Sequence, residues 1–351
     1  MNPLLRQLDL TYPERLRPAF WLDDLPDVDT PLLTSSEIAA FNDHVCTSLG
    51  FVDPLDLPDT LPADEIRARL DAALPRSWPL YGADGQPLTE THFASLTART
   101  QIALPDEVPV QFGLIMETVD ARALPAHAII TGEPLAWQTN LIQETVLDTG
   151  WPVAVCAASA DGGWYFCLTP LYWGWVPQRA VALTTRAEAR AYRQAAEADF
   201  VMTTASRARI GTACGDGIAT QMGTRLPLLD ETGEVWRVSL PAVEDGRLRL
   251  TTGTINRAAG GFQRGWLPCT PRTILTAAFS MLGEPYAWGG MQMGIFGRDC
   301  SRFIQDVYAL TGVVLPRNSS QQKQVGRLRV EIPADMPADE RRRHIAAQVC
   351  P

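Results

Sequence analysis

Twice in the middle of this chain, a run of short apolar segments broken by turns ends on the same pattern: Gly174-Trp175-Val176-Pro177 and Gly265-Trp266-Leu267-Pro268. The first run contains Thr145-Val146-Leu147, Pro152-Val153-Ala154-Val155 and Trp164-Tyr165-Phe166-Cys167-Leu168, with a turn at Ala160-Asp161-Gly162-Gly163. Apolar pieces this short, bounded by Gly and Asp, read as strands rather than helices. A second β-rich stretch covers residues 200–270. The shared ending is a weak internal repeat, and it predicts two related small barrels with Trp175 and Trp266 in their cores. The Ala-, Glu- and Arg-rich segment between them, residues 185–199, is expected to be a connecting helix.

The flanks have a different texture. Residues 1 to about 30, rich in Pro and Asp, read as an extended arm. Thr34-Ser35-Ser36-Glu37 is a helix start with a hydroxyl cap, followed by Ile38, Phe41 and Val45 at helical spacing. Further helices are expected from Ala63 to Leu74, with Ile66, Leu70 and Leu74 on one face, and from Thr89 to about Thr100. His44 and His92 fall in this region and read as structural. After residue 271, Thr273 to Leu282 forms an amphipathic helix stopped by Gly283. A turn-rich loop from Tyr286 to Arg298 then leads into another helix, with Phe303, Ile304, Val307, Tyr308 and Leu310 as its buried face and Gly312 as its stop. The expected fold is multidomain α+β. It comprises a helical N-terminal region (1–115), a first small β-barrel (116–184), a linker helix (185–199), a second small β-barrel (200–270) and an α+β C-terminal domain (271–351).

Composition excludes several functions. With 351 residues, 46% hydrophobic and 20% charged, the chain is globular rather than disordered. Its apolar runs reach about ten residues near Trp151–Ala160, half of what a membrane span requires. A net charge of -10 speaks against nucleic acid as a partner, and Arg341-Arg342-Arg343 follows Asp339-Glu340 as a solvated helix face. The first residues lack a basic start and a long apolar stretch, so the cytoplasm is the expected compartment, with the periplasm or cell envelope as the alternative. Seven cysteines without a Cys-x-x-Cys pair predict neither a disulfide framework nor a zinc site. Cys156 and Cys167, either side of the first-barrel turn, read as small buried core residues.

The chemistry points to Cys300. Asp299 can cap the helix that Cys300 opens. Unpaired backbone N–H groups and the helix dipole in a first turn favour a thiolate and can also donate to an oxyanion. The loop before it carries Gly283, Gly289, Gly290, Gly294 and Gly297, which let backbone approach a substrate closely.

Three blocks in order carry a resemblance: Gly283-x-Pro285-Tyr286-x-Trp288-Gly289-Gly290, then Asp299-Cys300-Ser301, then Leu315-Pro316-Arg317-x-Ser319-x-x-Gln322. Residues 273–322 resemble the N-terminal half of the catalytic domain of NlpC-type cell-wall cysteine peptidases, which have a papain-like core. The upstream region resembles relatives that cleave γ-D-glutamyl-L-diamino acid bonds and carry two bacterial SH3-like barrels. The resemblance implies Cys300 as nucleophile, with Tyr286 placing the thiolate and substrate. Asp299, Ser301 and Ser319 would line the pocket, Asp299 pairing the free amine of an L-Ala-γ-D-Glu-diamino acid stem peptide, and Arg317 would support its loop. Tyr172, or Glu144 as the weaker candidate, would close one end of the cleft from the first barrel. Ordinary packing is the competing reading for Tyr172, Tyr286 and Trp288. A thiolate–imidazole pair needs no metal or organic cofactor.

The sequence departs from the family pattern at the general base. No segment of the small–His–apolar–apolar–Tyr type follows Cys300, and the one later histidine, His344, sits in a charged helical stretch. The expectation is therefore a chain truncated before the catalytic histidine. Its Cys300 helix would have an uncovered apolar face, and the segment after 271 would be poorly folded or active only in a longer form. The alternative is a non-catalytic module whose SH3-like barrels bind stem peptides.

Overall fold

The computed structural model describes residues 12–72, 79–213, 215, 217–292, 295–326, 332–333 and 335–349. Near the N-terminus, the expected extended arm is instead a 3-10 turn, Pro13–Leu16, followed by α1 (Pro18–Leu22). Each opens on a proline, whose fixed φ suits the first helical position. Next, α2 (Ser35–Leu49) starts at the anticipated capping box of Thr34 and Glu37 and ends at Gly50, whose φ is 62°. α3 (Ala63–Ala72) buries Ile66 and Leu70, while Leu74 lies outside the described residues. α4 (Glu90–Thr97) completes the region, which is closed by a two-strand ladder of β1 (Thr60–Pro62) and β2 (Glu107–Pro109).

The first sheet contains β3 (Gln111–Ile115), β4 (Val119–Arg122), β5 (Gln143–Leu147), β6 (Pro152–Ala158), β7 (Trp164–Leu168), β8 (Trp173–Pro177) and β9 (Val181–Thr184). It therefore takes in residues 111–115, assigned above to the helical region. They pair antiparallel with both β6 and β9, as the strand next to the edge of the sheet. The linker, α5 (Arg186–Ala198), begins at a second capping box, Thr185 with Glu188. The second sheet contains β10 (Phe200–Thr203), β11 (Arg207–Thr212), β12 (Ile218–Gln221), β13 (Arg225–Thr232), β14 (Val235–Glu244), β15 (Arg247–Asn256) and β16 (Phe262–Arg264).

The strand orders are β5-β4-β8-β7-β6-β3-β9 and β12-β11-β15-β14-β13-β10-β16. Counted from the first strand of each sheet, both read third, second, sixth, fifth, fourth, first, seventh. The short sequence repeat thus marks two sheets of one topology.

Both faces of each sheet are apolar, because alternate residues of a strand point to opposite sides. In the first sheet, Val153, Val155, Cys167 and Val176 fill one face. Ala154, Cys156, Phe166 and Trp175 fill the other, against Leu55, Ile66 and Leu70 of the N-terminal region and Tyr192 of α5. Cys156 and Cys167 are free and buried, as expected. In the second sheet, Val201, Leu226, Val238 and Leu240 form the inner cluster.

The opposite face of the second sheet, carrying Phe200, Met202 and Met222, is covered by the C-terminal segment. There α6 (Pro271–Ser280) supplies Ala277, and Met281 follows it. α7 (Cys300–Ala309) supplies Val307, with Leu310 just beyond its end. The expected bare face of the Cys300 helix is thus occupied by the second barrel. The hairpin β17 (Met291–Gln292) and β18 (Ile295–Phe296), then α8 (Ser319–Val325) and α9 (Ala338–Val349), complete the described chain.

Two burial expectations fail for local reasons. Trp175 sits inside β8 and is 1% exposed, but Trp266 lies beyond the last residue of β16 and is 43% exposed. It rests edge-on to Phe200 and beneath Arg225. On α7, Ile304 faces outward, and the buried side holds Ser301, Arg302 and Asp306 beside Val307. That side is divided between an apolar contact with the second barrel and a charged contact with the first. No helix of the described residues is long and apolar enough to cross a membrane.

Candidate active site

Cys300 is exposed and is the first residue of α7. The segment leading to it is held by a short parallel pairing in which Ala287 donates to Arg298 O (3.2 Å) and Arg298 donates to Pro285 O (3.2 Å). Gly297 is required there, since a Cβ would lie 2.4 Å from the Pro285 carbonyl oxygen. Gly289, at a φ of 68°, lets the loop press onto β5, where a Cβ would meet Gln143 at 2.4 Å. Trp288 N donates to Gln138 O across 3.0 Å, fixing the same loop to the first barrel. Tyr286 and Trp288 are each 45% exposed, so neither is the core filler of the competing reading.

Asp299 caps α7, accepting from Arg302 N at 2.8 Å and from Gly289 N at 3.1 Å. Its two oxygens also take the Arg317 guanidinium at 3.0 and 2.6 Å, and the Ser301 hydroxyl donates to it at 3.1 Å. Burial alone would raise this carboxyl, but Arg317 and the backbone donors hold it below its ordinary value. The expected role for Asp299, pairing a substrate amine, meets a carboxylate whose acceptor sites are already filled. Arg317 also donates to Thr145 Oγ1 (2.9 Å) and to Ser301 Oγ (3.0 Å), binding the last motif block to β5. Gln322 spans 2.9 Å to both Ser301 O and Pro316 O. Ser319 is exposed at the start of α8.

The first barrel contributes two groups. Tyr172 donates its hydroxyl to Asn318 Oδ1, which joins the barrel to the Arg317 loop. Burial pushes its phenol up to about 12; the Arg317 charge opposes this, and Glu144 and Asp299 add to it. Tyr172 therefore bridges two domains rather than only packing its own barrel. Glu144 is half-buried, its carboxyl raised by burial against the pull of Arg317, and among the described residues it has no hydrogen-bond partner. Tyr286 is raised by burial first and then by the neighbouring Asp299 and Cys300. Arg317 is thus the common neighbour of Tyr286, Asp299, Tyr172 and Glu144, and Tyr286 in turn lies beside Cys300.

Behind the site lies a buried charge network the sequence reading did not find. Arg302 bonds Asp306 (2.6 Å), Val146 O (2.8 Å) and Asp148 (3.4 Å). Asp306 also takes Arg298 at 2.7 Å, and Arg298 pairs Glu284 and reaches Ser206 of the second barrel. Three carboxylates face two guanidiniums, and Asp148 has the longest pairing. Its complete burial raises it to about 6, helped by the nearby charge of Asp306. An Arg and an Asp four residues apart on α7 are the only sequence signal of this network, and alone they read as a surface pair.

No hydrogen bond among the described residues joins Cys300 to a histidine. His127 packs against Trp164 at a tilt of 49°, with ring centroids 4.7 Å apart. His344 lies on α9.

Residues 283–338 match the NlpC/P60 family, and residues 139–177 match the SH3 domain of SH3b1 type. Over 103 residues the chain is 37% identical to the gamma-D-glutamyl-L-lysine dipeptidyl-peptidase of Bacillus cereus. That stretch spans 29% of this chain and 29% of the relative's length. In fold, the chain is similar to an NlpC/P60 endopeptidase from Photobacterium damselae subsp. piscicida. The TM-score is 0.64 at 20% identity, over 85% of this chain and 67% of that one.

Proposed function

We propose that this chain, in which an NlpC/P60-family segment follows an SH3b1-type domain, is a cysteine peptidase of peptidoglycan stem peptides. The observation that carries the reading is the exposed Cys300 at the first turn of α7, beside Tyr286 and next to the Asp299–Arg317 pair that is bonded to β5 of the first barrel. The thiolate attacks the γ-carbonyl of the D-Glu residue. The oxyanion is received by free N–H groups of the helix start. The C–N bond breaks, the diamino acid leaves as an amine with a proton drawn from solvent water, and a further water hydrolyses the thioester at Sγ, releasing the L-Ala-γ-D-Glu acid and restoring the Cys300 thiol.

Glu144 is the better partner for the free N-terminal amine than Asp299, since Asp299 is saturated by Arg317 and the cap. A half-buried acid without a partner discriminates strongly, because an acylated amine would leave it unpaired. Tyr172 borders that end of the cleft. Tyr286 and Ser319, both exposed, flank the sulfur side.

A second reading, stem-peptide binding without hydrolysis, is favoured by one observation: no histidine is bonded to Cys300 among the described residues. Hydrolysis of L-Ala-γ-D-Glu-meso-diaminopimelate decides between the two. The peptidase reading expects turnover that Cys300→Ala abolishes and that N-acetylation of the substrate suppresses about a hundredfold. Binding of the peptide with no turnover supports the module. Turnover unchanged in Cys300→Ala overturns the nucleophile assignment.

A further inference from the structure

On the side of α7 away from Cys300 is a cavity of about 550 Å³, walled by all parts of the chain. Its apolar lining includes Phe51 from the N-terminal region, Trp151 and Leu171 from the first barrel, Met222 and Trp266 from the second, and Val313 after α7. That volume is within the range of small-molecule sites. Cys300, Tyr286, Tyr172 and Glu144 do not line it, and Arg317 is the one group it shares with the candidate active site.

The charges around it are almost all settled internally. Asp53 pairs Arg193, Asp56 pairs Arg190, Asp306 pairs Arg298 and Arg302, Asp148 pairs Arg302, and Arg317 pairs Asp299. Arg225 is the exception. It lines the cavity, yet among the described residues its guanidinium has no hydrogen bond and no ion-pair partner. It is held only by the ring faces of Trp266 (4.8 Å) and Phe200 (5.6 Å). Burial weakens its hold on the proton, with only the more distant charges of Glu197 and Asp148 opposing. This half-buried guanidinium therefore has all its donors free for an incoming anion.

We propose that this cavity is a binding site for a small amphipathic carboxylate. The acid group would take two parallel bonds from Arg225, and an aliphatic or aromatic body would lie against Trp151, Leu171 and Val313. The lining also includes Arg302 and Asp306 of α7 and the 312–317 loop that ends on Arg317, so an occupant touches the frame that positions Cys300.

Octanoate is the probe, titrated calorimetrically into the full chain, with 1-octanol and octylammonium as controls of the same length. Octanoate is expected to bind at least tenfold more tightly than either control. Arg225→Met is expected to weaken it about ten- to hundredfold while leaving octanol unchanged. Arg225→Lys, which keeps the charge but not the fork, should retain part of the preference. Folding of both variants is checked by their unchanged octanol binding and circular dichroism. Equal binding of the three probes, or octanoate binding indifferent to Arg225→Met in a folded protein, overturns the proposal.

Discussion

Arg317→Ala removes the group on which the candidate site converges. In the wild type, two nearly parallel bonds of 3.0 and 2.6 Å join Arg317 to Asp299, and both side chains are under a tenth exposed. Deleting the guanidinium leaves a buried carboxylate with only two backbone donors and a hydroxyl. Breaking a buried pair from one side costs about 3–5 kcal/mol. It also releases Thr145 Oγ1 and Ser301 Oγ, so the loss falls on the junction of α7 with β5. Neutralising both partners, Asp299→Asn with Arg317→Ala, removes the stranded charge while Asn can still cap the helix. The double variant should therefore be more stable than Arg317→Ala, with a coupling energy of about 2 kcal/mol or more across the cycle. Urea denaturation of the four proteins measures this. A loss below about 1 kcal/mol for Arg317→Ala, or simple additivity, would refute the view that this pair holds the site together.

Three further outcomes follow from the same geometry. At neutral pH, iodoacetamide should modify Cys300 first and the exposed Cys46 more slowly, since burial and then the charges of Asp43 and Asp53 raise the Cys46 thiol. Cys156 and Cys167, buried and raised, should be protected, and peptide mapping by mass spectrometry reads the order. Asp148 has a folded value of about 6 against an ordinary 3.8, so its contribution to stability is complete below about pH 4 and is lost as pH rises through 6. The stability of wild type minus Asp148→Asn should fall between pH 4 and 6 and be level above; a flat difference curve contradicts the network as described. Gly297→Ala should cost about 1–3 kcal/mol in the same denaturation assay, because the added methyl meets a backbone oxygen at 2.4 Å, and a neutral effect would contradict the tight pairing before Cys300.

Much of the fold was legible where local chemistry decides it. The capping box at Thr34, the turn at Asp161-Gly162-Gly163 and the Asp299 cap each act within four residues, and all appear where the sequence puts them. The repeat ending in Gly-Trp-x-Pro was equally visible, although only one of its two tryptophans reached a core. What stayed hidden was settled between domains. Arg302 and Asp306 look like an exposed pair until Val146 and Asp148 close over them. Asp299 looked free for a ligand because its partner Arg317 is eighteen positions away in sequence. The covered face of α7 could not be foreseen either, since Phe200 and Met202 read as ordinary barrel residues until their alternation places them outward.

The most direct test of the account is the mass of the Cys300 peptide after acid quench during reaction with L-Ala-γ-D-Glu-meso-diaminopimelate. A gain equal to one L-Ala-γ-D-Glu acyl group on that peptide, absent with the N-acetylated substrate and in Cys300→Ala, is the predicted result. Product release with no acyl group on Cys300 at any quench time, or an acyl group on another residue, would contradict it.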